Sequence, residues 1–150
     1  MRRTFIYYLL MTSMTIVDYA LTFLGRPYIW SGDGSGKCGG GFDCSGLVVE
    51  CLRAFGHVDC DLTAQGLYDY LAGGGCQKVE FLDWESSDVL FFGKSRNCIT
   101  HVAIAIGDGL MIEAGGGGSK CKTLETSTGV VRVRPISYRK DFVAGLRMPD

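Results

Sequence analysis

The chain has 150 residues, 47% of them hydrophobic, and a formal net charge of -1. That length and apolar share suit one globular domain built on a single core, and they exclude an intrinsically disordered chain. The balanced charge and the lack of a long basic run exclude an electrostatic nucleic-acid binder.

Residues 4–24 read as one amphipathic helix. Val17, Ala20, Leu21 and Leu24 recur at helical spacing, and Gly25 is its expected stop. The first dozen residues admit another reading. Met1-Arg2-Arg3 followed by an apolar run looks like the start of a secretory signal, yet no small-x-small cleavage site precedes the domain. The apolar run is too short to span a bilayer. Residues 1–12 are thus an N-terminal extension or part of the helix, and no cleaved signal is expected.

The glycine-rich run 31–41 follows. Glycine lets backbone approach a ligand closely, so this loop reads as a cleft wall. From Cys44 to about Phe55 runs the central helix. Leu47, Val48, Cys51, Leu52 and Phe55 form its apolar stripe, and Gly56 ends it. Thr63–Leu71 reads as a shorter helix stopped by Gly73-Gly74-Gly75. Five short strands are expected at Val89–Phe92, His101–Ile106, Leu110–Ala114, Val130–Val133 and Phe142–Leu146. Helices first and strands afterwards predict an α+β fold, with N-terminal helices packed on a C-terminal antiparallel sheet.

Two residues carry the chemistry. Cys44 opens a helix, where unpaired backbone N–H groups and partial positive charge favour a thiolate, the reactive form. It is expected to be the most reactive of the seven cysteines. His101 opens the run His-Val-Ala-Ile-Ala-Ile-Gly. In a strand, His101, Ala103 and Ala105 share one face, and the two alanines leave room for a helix to approach. A thiol and an imidazole far apart in sequence are what nucleophilic catalysis by cysteine requires. No Cys-x-x-Cys pair occurs and the two histidines are distant, so no metal site is expected. The remaining thiols are expected to be free, Cys51 and Cys98 at core positions, with no bridge needed for the fold. His57, past the central helix, reads as structural or exposed.

In order along the chain stand Gly-Arg-Pro-Tyr-Ile-Trp (25–30), Phe-Asp-Cys-Ser-Gly-Leu-Val (42–48), Asp-Val-Leu-Phe-Phe (88–92) and His-Val-Ala-Ile-Ala-Ile-Gly (101–107). From about Val17 to about Leu146 the chain resembles the NlpC-type family of papain-like cell-wall cysteine peptidases. The resemblance implies hydrolysis in the peptidoglycan stem, typically between D-γ-glutamyl and diaminopimelate or lysine. It implies a thioester on Cys44, no metal and no organic cofactor. Its third catalytic position, usually His, Asn or Gln, is here Glu113.

Register decides whether Glu113 can serve. A two-residue loop at Asp108-Gly109 would pair Ile104 with Glu113 and turn the carboxylate away. A three-residue loop over Gly107–Gly109 pairs Ala103 with Glu113 and sets it on the histidine's face, which is the expectation here. Tyr28 matches a family tyrosine that helps polarise the scissile carbonyl; packing is its alternative role. Asp43 and Ser45 match positions that in some relatives contact a stem peptide's free amine. Helix capping and first-turn solvation are equally open for them. The expected partners are peptidoglycan stem peptides. By analogy, a single-domain form suits a monomer delivered by a larger phage or secretion assembly and acting at the bacterial cell wall. Two other readings stay open: an amidase or acyl-transfer enzyme on a different substrate, and a catalytically silent binding module.

Overall fold

A computed structural model describes residues 14–149. The expected helix over residues 4–13, and the question of a signal, lie outside the described residues. Helix α1, Ile16–Leu21, starts at a capping box in which Thr15 and Asp18 each accept the other's backbone N–H. It ends before Gly25, and Leu24 is exposed. The chain stops coiling here because it joins the sheet: Gly25 donates to Val131 O and Val131 donates to Arg26 O.

Helix α2, Cys44–Ala54, is the central helix. Leu47, Val48, Cys51 and Leu52 are buried. Phe55 departs from the expected stripe: it is the C-cap, 37% exposed, and its ring meets Tyr19 edge-on. Gly56 takes a left-handed φ of 79°, which ends the helix at no steric cost. Helix α3, Ala64–Gly73, is capped by Thr63, whose hydroxyl accepts the N–H of Gly66.

The strands are β1 (Gln77–Val79), β2 (Val89–Ser95), β3 (Cys98–Gly107), β4 (Leu110–Gly115), β5 (Val130–Pro135) and β6 (Phe142–Arg147). They form one antiparallel sheet in the order β1-β6-β2-β3-β4-β5. The fold is α+β and papain-like, with one strand more than the five expected. β1 has three residues, of which only Val79 is buried, too short to show an alternation.

The sheet separates two apolar clusters. On one face Val102, Ile104 and Ile112 pack with α1, α2 and α3 in the main core. On the other, Ala103 and Ala105 join Leu90, Phe92, Met111 and Ile136. The expectation that those alanines make room for a helix is therefore corrected. They fill the smaller cluster, and α2 lies against the Val102–Ile104 face. Cys98 is also not core; it begins β3 at an exposed turn, whereas Cys51 is fully buried.

The β3–β4 hairpin resolves the register by a route neither loop length anticipated. Its turn has two residues, Asp108 and Gly109, both with positive φ, and Gly107 pairs with Leu110. An irregularity between Ala105 and Gly107 then shifts the ladder by one, so that Ala105 pairs with Met111 and Ile104 with Ile112. Continued, that ladder sets Ala103 opposite Glu113. The bulge does what the longer loop was expected to do.

Candidate active site

The start of α2 is built by glycines and one aspartate. Asp43 accepts hydrogen bonds from the backbone of Gly46 at 2.7 Å and of Ser31 at 3.0 Å, and from the Ser45 hydroxyl at 3.3 Å. One carboxylate thereby caps the helix and holds the 31–33 loop against it. Burial pushes the Asp43 carboxyl above its ordinary value, against the lowering pull of these bonds. Gly46 is needed because any Cβ there would collide with the Gly32 carbonyl.

The pairing of β3 with β4 reaches only to Ile104 and Ile112 among the described residues. Beyond it β3 continues with β2 as far as Cys98, and β4 continues with β5 as far as Gly115. Cys44 at the start of α2 and His101 on β3 face one cavity beside this parting.

Cys44, His101 and Glu113 line one cavity of about 330 Å³, with Tyr28, Trp30 and Arg132 among its other walls. His101 Nε2 lies 2.7 Å from Glu113 Oε2. Glu113 is 2% exposed, and burial alone would raise its carboxyl; the hydrogen bonds and charges of His101 and Arg132 outweigh that and hold it below its ordinary value. An ionised carboxylate only accepts, so Nε2 carries the ring proton and Nδ1 is the nitrogen left over.

Cys44 departs from the thiolate expectation. Burial pushes its thiol up to about 11, and the neighbouring Asp43 carboxylate adds to the rise. The backbone N–H groups of Val102, Ser45 and Cys44 itself pull the other way, but less. The helix start supplies donors as expected; desolvation outweighs them. No hydrogen bond joins Cys44 to His101 among the described residues.

Tyr28 is 6% exposed, and burial followed by the charges of Cys44 and Asp43 raises its phenol. Its ring lies over Gly117, where a Cβ would clash with it. Asp43 and Ser45 are not in this cavity. They line a separate one of about 260 Å³ with Asp33, Arg53 and Asp61. His57 is half-buried past the end of α2, outside both cavities.

Arg132 was not anticipated. It sits directly across from Glu113 in the β4–β5 ladder and donates from Nε to Glu113 Oε1 at 3.1 Å. The alternation Val-Arg-Val-Arg over 131–134 carried a signal, since it sets two arginines on one strand face where a cross-strand carboxylate can pair with them. No group of three or more His, Cys, Asp or Glu able to hold a metal occurs among the described residues.

The sequence profile described as the NlpC/P60 family matches residues 25–137. The chain is 39% identical over 99 residues to the Mycobacterium tuberculosis protein named "Probable endopeptidase Rv2190c", covering 66% of this chain and 22% of that one. It is 32% identical over 114 residues to the bifunctional muramidase/DL-endopeptidase CwlT of Bacillus subtilis, covering 75% and 32%. Among solved structures it is similar to the NlpC/p60 domain of the peptidoglycan hydrolase SagA. The TM-score is 0.64 at 26% identity, covering 89% of this chain and 97% of that domain. The chain thus spans about a fifth to a third of the length of these two curated relatives. The profile match over three quarters of the chain, the papain-like fold and a Cys–His cavity at the matched motifs agree: the chain belongs to the NlpC/P60 family of papain-like cysteine peptidases.

Proposed function

We propose that the chain is a cysteine peptidase or amidase of the peptidoglycan stem, cleaving between D-γ-glutamyl and diaminopimelate or lysine. The observation that carries the reading is the convergence of Cys44, His101 and Glu113 on one cavity. His101 Nδ1 withdraws the thiol proton as Cys44 Sγ bonds to the carbonyl carbon. The oxyanion is held by the Cys44 backbone N–H and the Tyr28 hydroxyl. His101 then protonates the leaving amine, the C–N bond breaks, and a thioester remains. Water gives a proton to His101 as its oxygen bonds to the thioester carbon; the C–S bond breaks, the acid is released, and the departing Cys44 thiolate takes the proton back from His101. Glu113 keeps the ring in the tautomer that each step needs. The choice of bond is supported by a relative. The chain is 29% identical over 134 residues to a Bacillus subtilis gamma-D-glutamyl-L-lysine dipeptidyl-peptidase, covering 42% of its length.

Purified muropeptides incubated with the chain and read by mass spectrometry test this. Expected are two fragments whose masses sum to the parent plus one water, and no cleavage by Cys44→Ala. Intact muropeptides together with turnover of an unrelated amide would move the substrate elsewhere while keeping the chemistry.

A further inference from the structure

The family's usual third residue is neutral, and here a carboxylate stands in its place. A bare, buried carboxylate 2.7 Å from the His101 ring would favour the imidazolium strongly. The ring would then be a poor acceptor for a thiol proton. The structure offers a counterweight. Glu113 splits its oxygens, Oε2 to His101 and Oε1 to Arg132.

We propose that Arg132 is a positioning residue: its guanidinium fixes Glu113 against His101 and offsets the carboxylate's charge, so that the pair substitutes for a neutral third residue. The inference rests on the reading of His101 as the base.

Four independent features build the pair. Glu113 and Arg132 are register partners in the β4–β5 ladder, so the contact is set by backbone. Gly115 and Gly116 leave the space it occupies. A Cβ on Gly115 would come within 2.7 Å of Glu113 Oε1 and 3.1 Å of Arg132 Nη2, and one on Gly116 within 3.0 Å of Arg132 Nη1. Glu113 is almost fully buried, where an uncompensated charge is costly. The other cation in reach, Arg134, stands 3.8 Å from Oε1 and spends its guanidinium on the face of the Tyr138 ring.

The charged and titratable groups around the ring come from every neighbouring element. They are Cys44 on α2, Tyr28 before it, Glu113 on β4, Arg132 and Arg134 on β5, and Tyr138 with Arg139 next to β6. Arg139 is committed to Asp141 through two hydrogen bonds. Glu113 is thus the only carboxylate in contact with His101 among the described residues, and Arg132 its direct counter-charge.

The test is a double-variant cycle read by NMR titration of the His101 ring, with His57→Gln as the background that leaves one histidine. Arg132→Met should raise the titration midpoint by about one unit, because the carboxylate is no longer offset. Arg132→Lys should recover most of that rise. Glu113→Gln should lower the midpoint, and Arg132→Met added to it should bring the midpoint back up. If Arg132→Met does not fold, the comparison of Glu113→Gln with Glu113→Gln/Arg132→Met still decides. Equal midpoints in that comparison, or an unmoved midpoint in folded Arg132→Met, would overturn the proposal. Muropeptide turnover is measured alongside. In Arg132→Met the acid limb of kcat/KM should move up by the same amount, with kcat reduced and KM little changed. A parent chain that cleaves no muropeptide sinks the functional reading, while the NMR cycle still judges Arg132.

Discussion

At Cys44 two effects of comparable kind oppose each other. The helix start and the Val102 N–H stabilise a thiolate; removal from water and the Asp43 charge destabilise it more. A thiol raised by burial leaves little thiolate at pH 7. Position in the fold is therefore not reactivity. Iodoacetamide at pH 7 should label the exposed Cys60 and Cys98 ahead of Cys44. The Cys44 rate should then climb about tenfold per unit as pH rises from 7 toward 10. Peptide mapping across that range checks it. A Cys44 rate already at plateau at neutral pH would show instead that thiolate and imidazolium coexist at rest. The His101–Glu113–Arg132 chain bears on the same balance. The more completely Arg132 offsets Glu113, the less the ring is held as a cation and the more readily it accepts the thiol proton.

The elements that place these residues were legible in the sequence to different degrees. The central helix from Cys44, its neighbour after Thr63 and the five main strands follow from apolar periodicity and from glycine stops. The contact of Glu113 with His101 required the register, and the register turned on a bulge beside Gly107 that a hairpin pattern does not encode. The parting of β3 and β4 is equally silent, since a strand that loses its partner keeps its alternation. Arg132 was missed because its role exists only across β4. Gly46 shows the converse, a residue whose demand is local. Its missing Cβ lets Gly32 cross the helix start, so that Asp43 can donate its backbone N–H to Gly32 O and cap Gly46 with its side chain. Gly46→Ala should cost roughly 1–3 kcal/mol through overpacking, measured by urea unfolding, and should lower turnover by dislodging Cys44. An unchanged urea midpoint would mean that the 31–33 loop moves aside freely.

Across the whole molecule the stabilising work falls to packing on both sides of one sheet. The main core gathers three helices against Val102, Ile104 and Ile112, and the smaller cluster covers the opposite face with Leu90, Phe92 and Met111. A half-buried ion pair reinforces one side of this layer. Arg147 on β6 grips Asp88 through two hydrogen bonds of 2.8 Å and ties that strand to the turn before its neighbour β2. Seven cysteines in a chain of this size would ordinarily invite a disulfide framework. Here they are dispersed, and each is unpaired. Cys51 is sealed in the core under α2, Cys76 meets Met148 Sδ at 4.0 Å, and Cys121 meets the Thr128 hydroxyl at 3.4 Å. Each of these acts as a small apolar or weakly polar filler. Cross-links would add stability by restricting the unfolded chain, and the fold is expected to stand without them. Titration of the denatured, unreduced protein with a thiol reagent should return all seven groups. The thermal midpoint should be the same with and without a mild reductant, followed by circular dichroism. A shortfall of two thiols together with a midpoint that drops on reduction would show that a bridge supports the fold, and that some of these side chains are drawn together in a way their separate contacts do not require.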